Sequence, residues 1–159
     1  MELIAEPLTE EKFAPFGHVL KLPENAGRMD YSGFLQNKRD DVPVCFRTSL
    51  TEPSSLPLKT EVMERHQYSS QAFLPVDSGR YLIMVAPHAS GGGPEMSELR
   101  AFIANPDQGV SYNADTWHHP MTVLDKPSIF VTVMFADGGP DDEDWFDLPE
   151  SVTIDVLSP

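Results

Sequence analysis

Two short clusters in the sequence carry side chains able to move protons. One is Glu64-Arg65-His66 with Gln71 close behind; the other is Trp117-His118-His119-Pro120, preceded by Gly109-Val110-Ser111-Tyr112-Asn113. Both lie in strand-like surroundings, where a purely structural β-domain usually places apolar or neutral residues. Side chains alternate along an extended strand, so Glu64 and His66 share one face while Arg65 points the other way, unless a bulge intervenes. By the same alternation, only one of His118 and His119 points easily into a barrel. Imidazole, with an unperturbed pKa of about 6.5, transfers protons near neutrality, and a neighbouring carboxylate can orient it or act as a second carrier. His118, Glu64 and His66 are the candidates for that acid–base chemistry.

These clusters need rigid elements to hold them. The chain of 159 residues is read as one domain, 1–159, because nothing in it marks a boundary between two cores. Short segments rich in Val, Ile, Phe, Tyr and Thr, punctuated by 15 prolines, predict an all-β, mainly antiparallel fold. Strands are expected at Pro43 to Leu50, Leu58 to His66, Gln71 to Pro75, Arg80 to Ala86, Leu99 to Ala104, Gly109 to Tyr112, Trp117 to Leu124 and Ile129 to Ala136. In the last of these both parities are apolar except at Thr132, which predicts a central strand buried on both faces. Leu8 to Phe13 predicts a short helix, with Thr9 as N-cap and a Leu8–Phe13 staple. The stretch Ala89-Ser90-Gly91-Gly92-Gly93-Pro94 matches neither phosphate-loop pattern and is read as a flexible connection.

Composition excludes several classes of partner. A formal charge of −14 argues against nucleic acid and anionic membrane, both of which require clustered Lys and Arg. Tyr81 to Pro87, the longest apolar stretch, is far short of the roughly 20 residues that span a bilayer. The acidic opening, Glu2 and Glu6, does not suit a signal peptide, so a cytoplasmic location is expected. The single cysteine, Cys45, forms no internal disulfide and is read as a small buried strand residue. The acidic run Asp141-Asp142-Glu143-Asp144 is read as solvated surface.

The sequence resembles the ureidoglycolate lyases. The resemblance rests on Glu64-Arg65-His66 with Gln71-Ala72-Phe73-Leu74-Pro75, and on Leu99-Arg100-Ala101-Phe102-Ile103 continuing through Gln108-Gly109-Val110, Tyr112 and Trp117-His118-His119-Pro120. It implies a cupin-like β-barrel or jelly roll, a homodimer, and cleavage of ureidoglycolate to glyoxylate and urea late in allantoin or purine catabolism. Cupins commonly carry H-x-H, three or four residues, then E, and later P-x-G-x-x-H. Glu64-x-His66 with Gln71, and Asn113-x-Asp115-x-x-His118, fall at those places. Glu64 stands where the first His is usual and Gln71 where Glu is usual. Glu64, His66, Gln71 and His118 offer oxygen and nitrogen donors suited to Ni, Fe, Mn or Zn, with nickel the family-level suggestion and neutral glutamine a weak ligand.

Ureidoglycolate is a carbinolamide. Breaking its C–N bond requires removing the hydroxyl proton and protonating the departing urea nitrogen, with or without a divalent ion to ease the developing alkoxide. Guanidinium binds carboxylates bidentately, which makes Arg65 the first candidate anchor for the substrate, with Arg47 or Arg100 to be considered if Arg65 faces outward. Gln71 and Tyr112 are expected to hold the ureido group, and His119 is a further candidate for substrate binding, with a supporting or structural place behind His118 as the alternative. Two competing readings are a non-catalytic cupin-like module that binds a small organic acid and regulates a partner, and a metal-dependent isomerase or dioxygenase. Three proton carriers in one chain disfavour the first, and the incomplete H-x-H plus Glu pattern disfavours the second.

Overall fold

The computed structural model describes residues 1–157. Twelve strands and one short helix follow in the order β1 (Glu2–Pro7), α1 (Glu10–Phe13), β2 (Gly17–Lys21), β3 (Val44–Thr51), β4 (Leu58–Arg65), β5 (Gln71–Asp77), β6 (Tyr81–Ala86), β7 (Arg100–Ala104), β8 (Gln108–Tyr112), β9 (Trp117–His118), β10 (Thr122–Val123), β11 (Ser128–Phe135) and β12 (Asp144–Val156). Helix α1 starts where the sequence places it. The Thr9 hydroxyl accepts from the Lys12 amide, Glu10 and Glu11 occupy the first turn, and Leu8 and Phe13 both enter the core.

One sheet runs β10-β6-β7-β1-β12-β4-β9, and a further pairing of β6 with β9 closes six of its strands into a barrel. The other sheet runs β2-β8-β5-β11-β3. Pairing is antiparallel except where β1 lies parallel to β12 and to β7. Alternation along the barrel strands separates two cores. Leu82, Met84, Ala86, Met63, Trp117 and Ile154 belong to the core of the closed barrel, whereas Tyr81, Ile83, Val85, Phe102, Phe73 and Phe130 form the core shared with the five-stranded sheet. In the shared core the Tyr81 and Phe130 rings meet edge-on at 5.1 Å, and the Tyr81 hydroxyl donates to the Gln108 carbonyl at 2.6 Å.

Three strands escape the sequence reading: β1, β2 and β12. Strand β12 begins at Asp144, the last residue of the acidic run, and contains Pro149, and its register against β4 breaks between Asp147 and Val152. A bulge there destroys the two-residue period that would have marked the strand. Strand β11 corrects another expectation. Although hydrogen-bonded to β5 and β3, it buries only Ser128, Phe130, Thr132 and Met134 on one face, while Ile129, Val131, Val133 and Phe135 stay exposed or half-exposed. The glycine stretch is also more ordered than a flexible connection. His88 bridges to Pro94, the Ala89 amide donates to Gly93, and Gly93 lies at φ 73° where a Cβ would strike the Phe146 ring.

Candidate active site

The wall between the two cores positions the chemistry. Strand β9 pairs with both β4 and β6, setting Glu64 opposite His118 and Arg65 opposite Trp117. Glu64 and His118 therefore face the shared core and Arg65 and Trp117 face the closed barrel, as strand parity requires. His66, just past the end of β4, returns to the Glu64 side, and its ring centroid lies 5.3 Å from that of His118. Gln71, the first residue of β5, closes the group from the opposite sheet.

Hydrogen bonds fix both imidazoles. His118 Nδ1–H donates to the Thr116 carbonyl at 3.0 Å, and His66 Nδ1–H donates to the Asp142 carbonyl at 2.8 Å. Nε2 is then the nitrogen of each ring left without a backbone partner. His118 Nε2 lies 3.0 Å from Gln71 Oε1 and 3.4 Å from a Glu64 oxygen, while His66 Nε2 is buried with no partner. Donor atoms of Glu64, His66 and His118 all fall within 4.8 Å of one another. Electron-rich atoms thus converge on one point, an arrangement that a shared cation, whether proton or metal ion, stabilises.

The electrostatics follow from burial. Burial alone would raise the Glu64 pKa, but its hydrogen bond and charge interaction with His118, and the nearby His66 and His119, bring it below the usual value. His66 is lowered by burial and by His118, and His119 chiefly by burial. The Tyr112 ring stacks on His118 at 4.2 Å and 10°, and burial pushes its hydroxyl well above the usual phenol range.

A cavity of about 390 Å³ opens over this group, lined by Arg47, Glu64, His66, Gln71, Met134, Ala136, Gly138, Gly139, Asp142 and Glu143. Glu64, His66 and Gln71 lie on its wall. Tyr112 lies beneath His118, apart from the wall. His119 also lies apart from it, half-buried, with Nδ1–H shared between the Pro120 carbonyl and the Thr122 hydroxyl.

Arg65 is not brought to the cavity. Its guanidinium sits on the closed-barrel side, bonded to Asp144 at 3.1 Å, to Asp115 at 2.6 Å and to His88 Nδ1 at 2.7 Å, and lies 4.8 Å over the Trp117 ring. Parity sends it there, away from the wall on which Glu64, His66 and Gln71 lie. Asp115, at φ 76°, adopts the left-handed conformation that Asp tolerates, and its amide donates to the His66 carbonyl. Arg100 pairs with Glu6 on the surface.

The acidic run is not merely solvated surface. Asp144 holds Arg65, Asp142 and Glu143 line the cavity, and the Asp142 carboxylate pairs with Arg39 at 2.7 Å and accepts from the Asp137 and Gly138 amides. Arg39 thereby pins the loop whose carbonyl orients His66. Neither its sequence context nor the charge run signals this role, which depends on the long-range return of β12 to β4.

Barrel, shared wall and histidine–carboxylate group define a cupin-like protein. A dTDP sugar isomerase from Desulfovibrio desulfuricans G20 is similar in fold, with a TM-score of 0.52 at 12% identity, covering 84% of this chain and 83% of that one. The chain belongs to the ureidoglycolate lyase family, whose sequence profile matches residues 1–155. It is 34% identical to the ureidoglycolate lyase of Pseudomonas savastanoi pv. phaseolicola, over 97% of this chain and 95% of that protein. It is 35% identical to that of Chelativorans sp. strain BNC1, over 96% of each.

Proposed function

We propose that the chain acts as a single-domain lyase that splits ureidoglycolate into glyoxylate and urea, in the cytoplasm, as a step of allantoin or purine catabolism. Family membership supports the substrate. The observation that carries the chemistry is the convergence of Glu64, His66 and His118 within 4.8 Å, with Glu64 and His66 on the wall of a solvent-open cavity and buried His118 in contact with Glu64 and Gln71.

The reaction needs no water and no oxidant. A base takes the hydroxyl proton of the substrate, the O–H electron pair becomes the carbonyl of glyoxylate, the C–N bond breaks, and its pair on the urea nitrogen accepts a proton. His118 and Glu64, in contact at 3.4 Å, form the pair through which that proton passes, with His66 beside them. Gln71 orients His118 Nε2 and offers a hydrogen bond to the ureido group. Tyr112 stiffens the His118 ring from below.

The same donors fit a divalent ion. His66 Nε2 is an orphan, His118 Nε2 faces acceptors, and both Nδ1 atoms are anchored by backbone carbonyls, as ligating histidines require. Glu64, His66 and His118 would hold the ion with Gln71 as a weaker fourth ligand, and nickel is the family-level choice. When bound, it would supply Lewis-acid polarisation of a substrate oxygen.

A homodimer is part of the proposal. Val44, Phe46 and Leu50 on β3, with Ile129 on β11 and Val76 on β5, leave an apolar outer face on the five-stranded sheet, Phe46 being 72% exposed. A second copy would cover it. The test of the activity is purified protein with racemic ureidoglycolate, following glyoxylate, urea and ammonia against a no-enzyme control, before and after chelation. Glyoxylate and urea released together above the spontaneous rate, without ammonia, support the lyase; no acceleration moves the reading to an organic-acid-binding module.

A further inference from the structure

Resting on that reading, we propose that Arg47 is the residue that binds the substrate carboxylate and so selects for α-hydroxy acid ureides. Strand β3 sets Arg47 opposite Thr132, on the same side as Cys45, whose partner Met134 is in turn paired with Gln71. This brings an edge-strand guanidinium onto the wall of the cavity that holds Glu64 and His66. Among the described residues it is the one Lys or Arg on that wall.

The rest of the wall is acidic. Glu64, Asp142 and Glu143 line it, and among the described residues only Asp142 has a guanidinium partner. An anionic substrate enters such a cavity only if a cation meets it.

Arg47 is also uncommitted. Arg39, Arg65, Arg80 and Arg100 each hold a carboxylate, in a chain with 25 acids and 11 basic residues. Among the described residues Arg47 has none within ion-pair reach. Its Nε and Nη2 rest instead on the Cys45 sulfur, at 3.2 and 2.7 Å. A neutral thiol is a weak acceptor, so exchanging it for a bidentate carboxylate is favourable. Cys45 holds the guanidinium near the cavity until an anion replaces the sulfur.

The test compares wild type, Arg47→Gln and Arg47→Lys by steady-state kinetics on ureidoglycolate and by calorimetric binding of glyoxylate. Arg47→Gln should raise KM and weaken glyoxylate binding by roughly 10- to 100-fold, the range for a lost hydrogen bond to a charged group, with kcat little changed. Arg47→Lys, which keeps the charge without the fork, should recover part of the loss. An unchanged KM and unchanged glyoxylate affinity in Arg47→Gln would overturn the assignment while leaving the lyase reading intact. Wild type that binds glyoxylate through Arg47 yet does not accelerate ureidoglycolate cleavage would uphold the anchor and overturn the lyase. Wild type with no affinity for glyoxylate would overturn the anchor.

Discussion

Replacing Arg65 by Met separates a structural arginine from a substrate anchor. The Arg65 side chain is 11% exposed, while its partners Asp115 and Asp144 are 39% and 44% exposed. Breaking a fully buried pair costs about 3–5 kcal/mol, but acids this exposed regain water and the loss falls toward the roughly 0–1 kcal/mol of surface pairs. Loss of the guanidinium from the Trp117 face adds about 0.5–2 kcal/mol. Met keeps the apolar stem against Trp117, and the indole N–H still donates to His88 Nδ1 at 3.0 Å, so no buried nitrogen is orphaned. The sum is about 2 kcal/mol, or roughly 4–8 °C in Tm for a chain of this size. Thermal unfolding followed by circular dichroism measures the stability, and initial rates on ureidoglycolate below the transition measure KM. The structure predicts the lower Tm with KM within about twofold of wild type. A tenfold or greater rise in KM with an unchanged Tm would refute the placement of Arg65 on the closed-barrel side.

Two further outcomes follow from the same geometry. In metal-free protein, His66 and His119 have folded pKa values below 6.5, so the unfolded chain takes up their protons first and stability falls as pH drops from 6.5 through the folded values. Glu64, lowered from 4.5, adds a second loss as pH falls below that value. Tm should be level at neutral pH and decline on acidification; a Tm that rises between pH 7 and pH 5.5 would contradict these assignments. Phe46→Asp should convert a dimer to a monomer in light scattering with the circular dichroism spectrum retained, and a wild-type monomer or an unaffected dimer would remove the outer sheet face as the interface.

Much of the fold was legible because β4 to β8 and β11 carry β-branched and aromatic residues between Pro and Gly breaks. Strands β1, β2 and β12 were not, since each is defined by partners far away in the chain, and Pro149 with the acids Asp144, Asp147, Glu150 and Asp155 masks β12. At the site, parity grouped Glu64 with His66 and pointed Arg65 the other way, although guanidinium chemistry still made Arg65 the first candidate anchor, and the chemistry of adjacent histidines favoured one over the other. What local sequence could not supply was tertiary: that the acidic run returns beside His66, that Arg39 pins it, and that an edge strand carries Arg47 into the same cavity. The apolar outer face of β11 was misread as burial because an exposed apolar face and a buried one have the same sequence pattern.

The most direct test of the account compares glyoxylate and urea release by wild type and His118→Ala, each checked by circular dichroism and thermal melting. His118 is 1% exposed and in contact with Glu64 and Gln71, so a folded His118→Ala protein should lose turnover by roughly 10²- to 10⁴-fold, the worth of a positioned acid–base group. A folded variant releasing both products within about threefold of the wild-type rate would contradict the claim that this cavity cleaves ureidoglycolate.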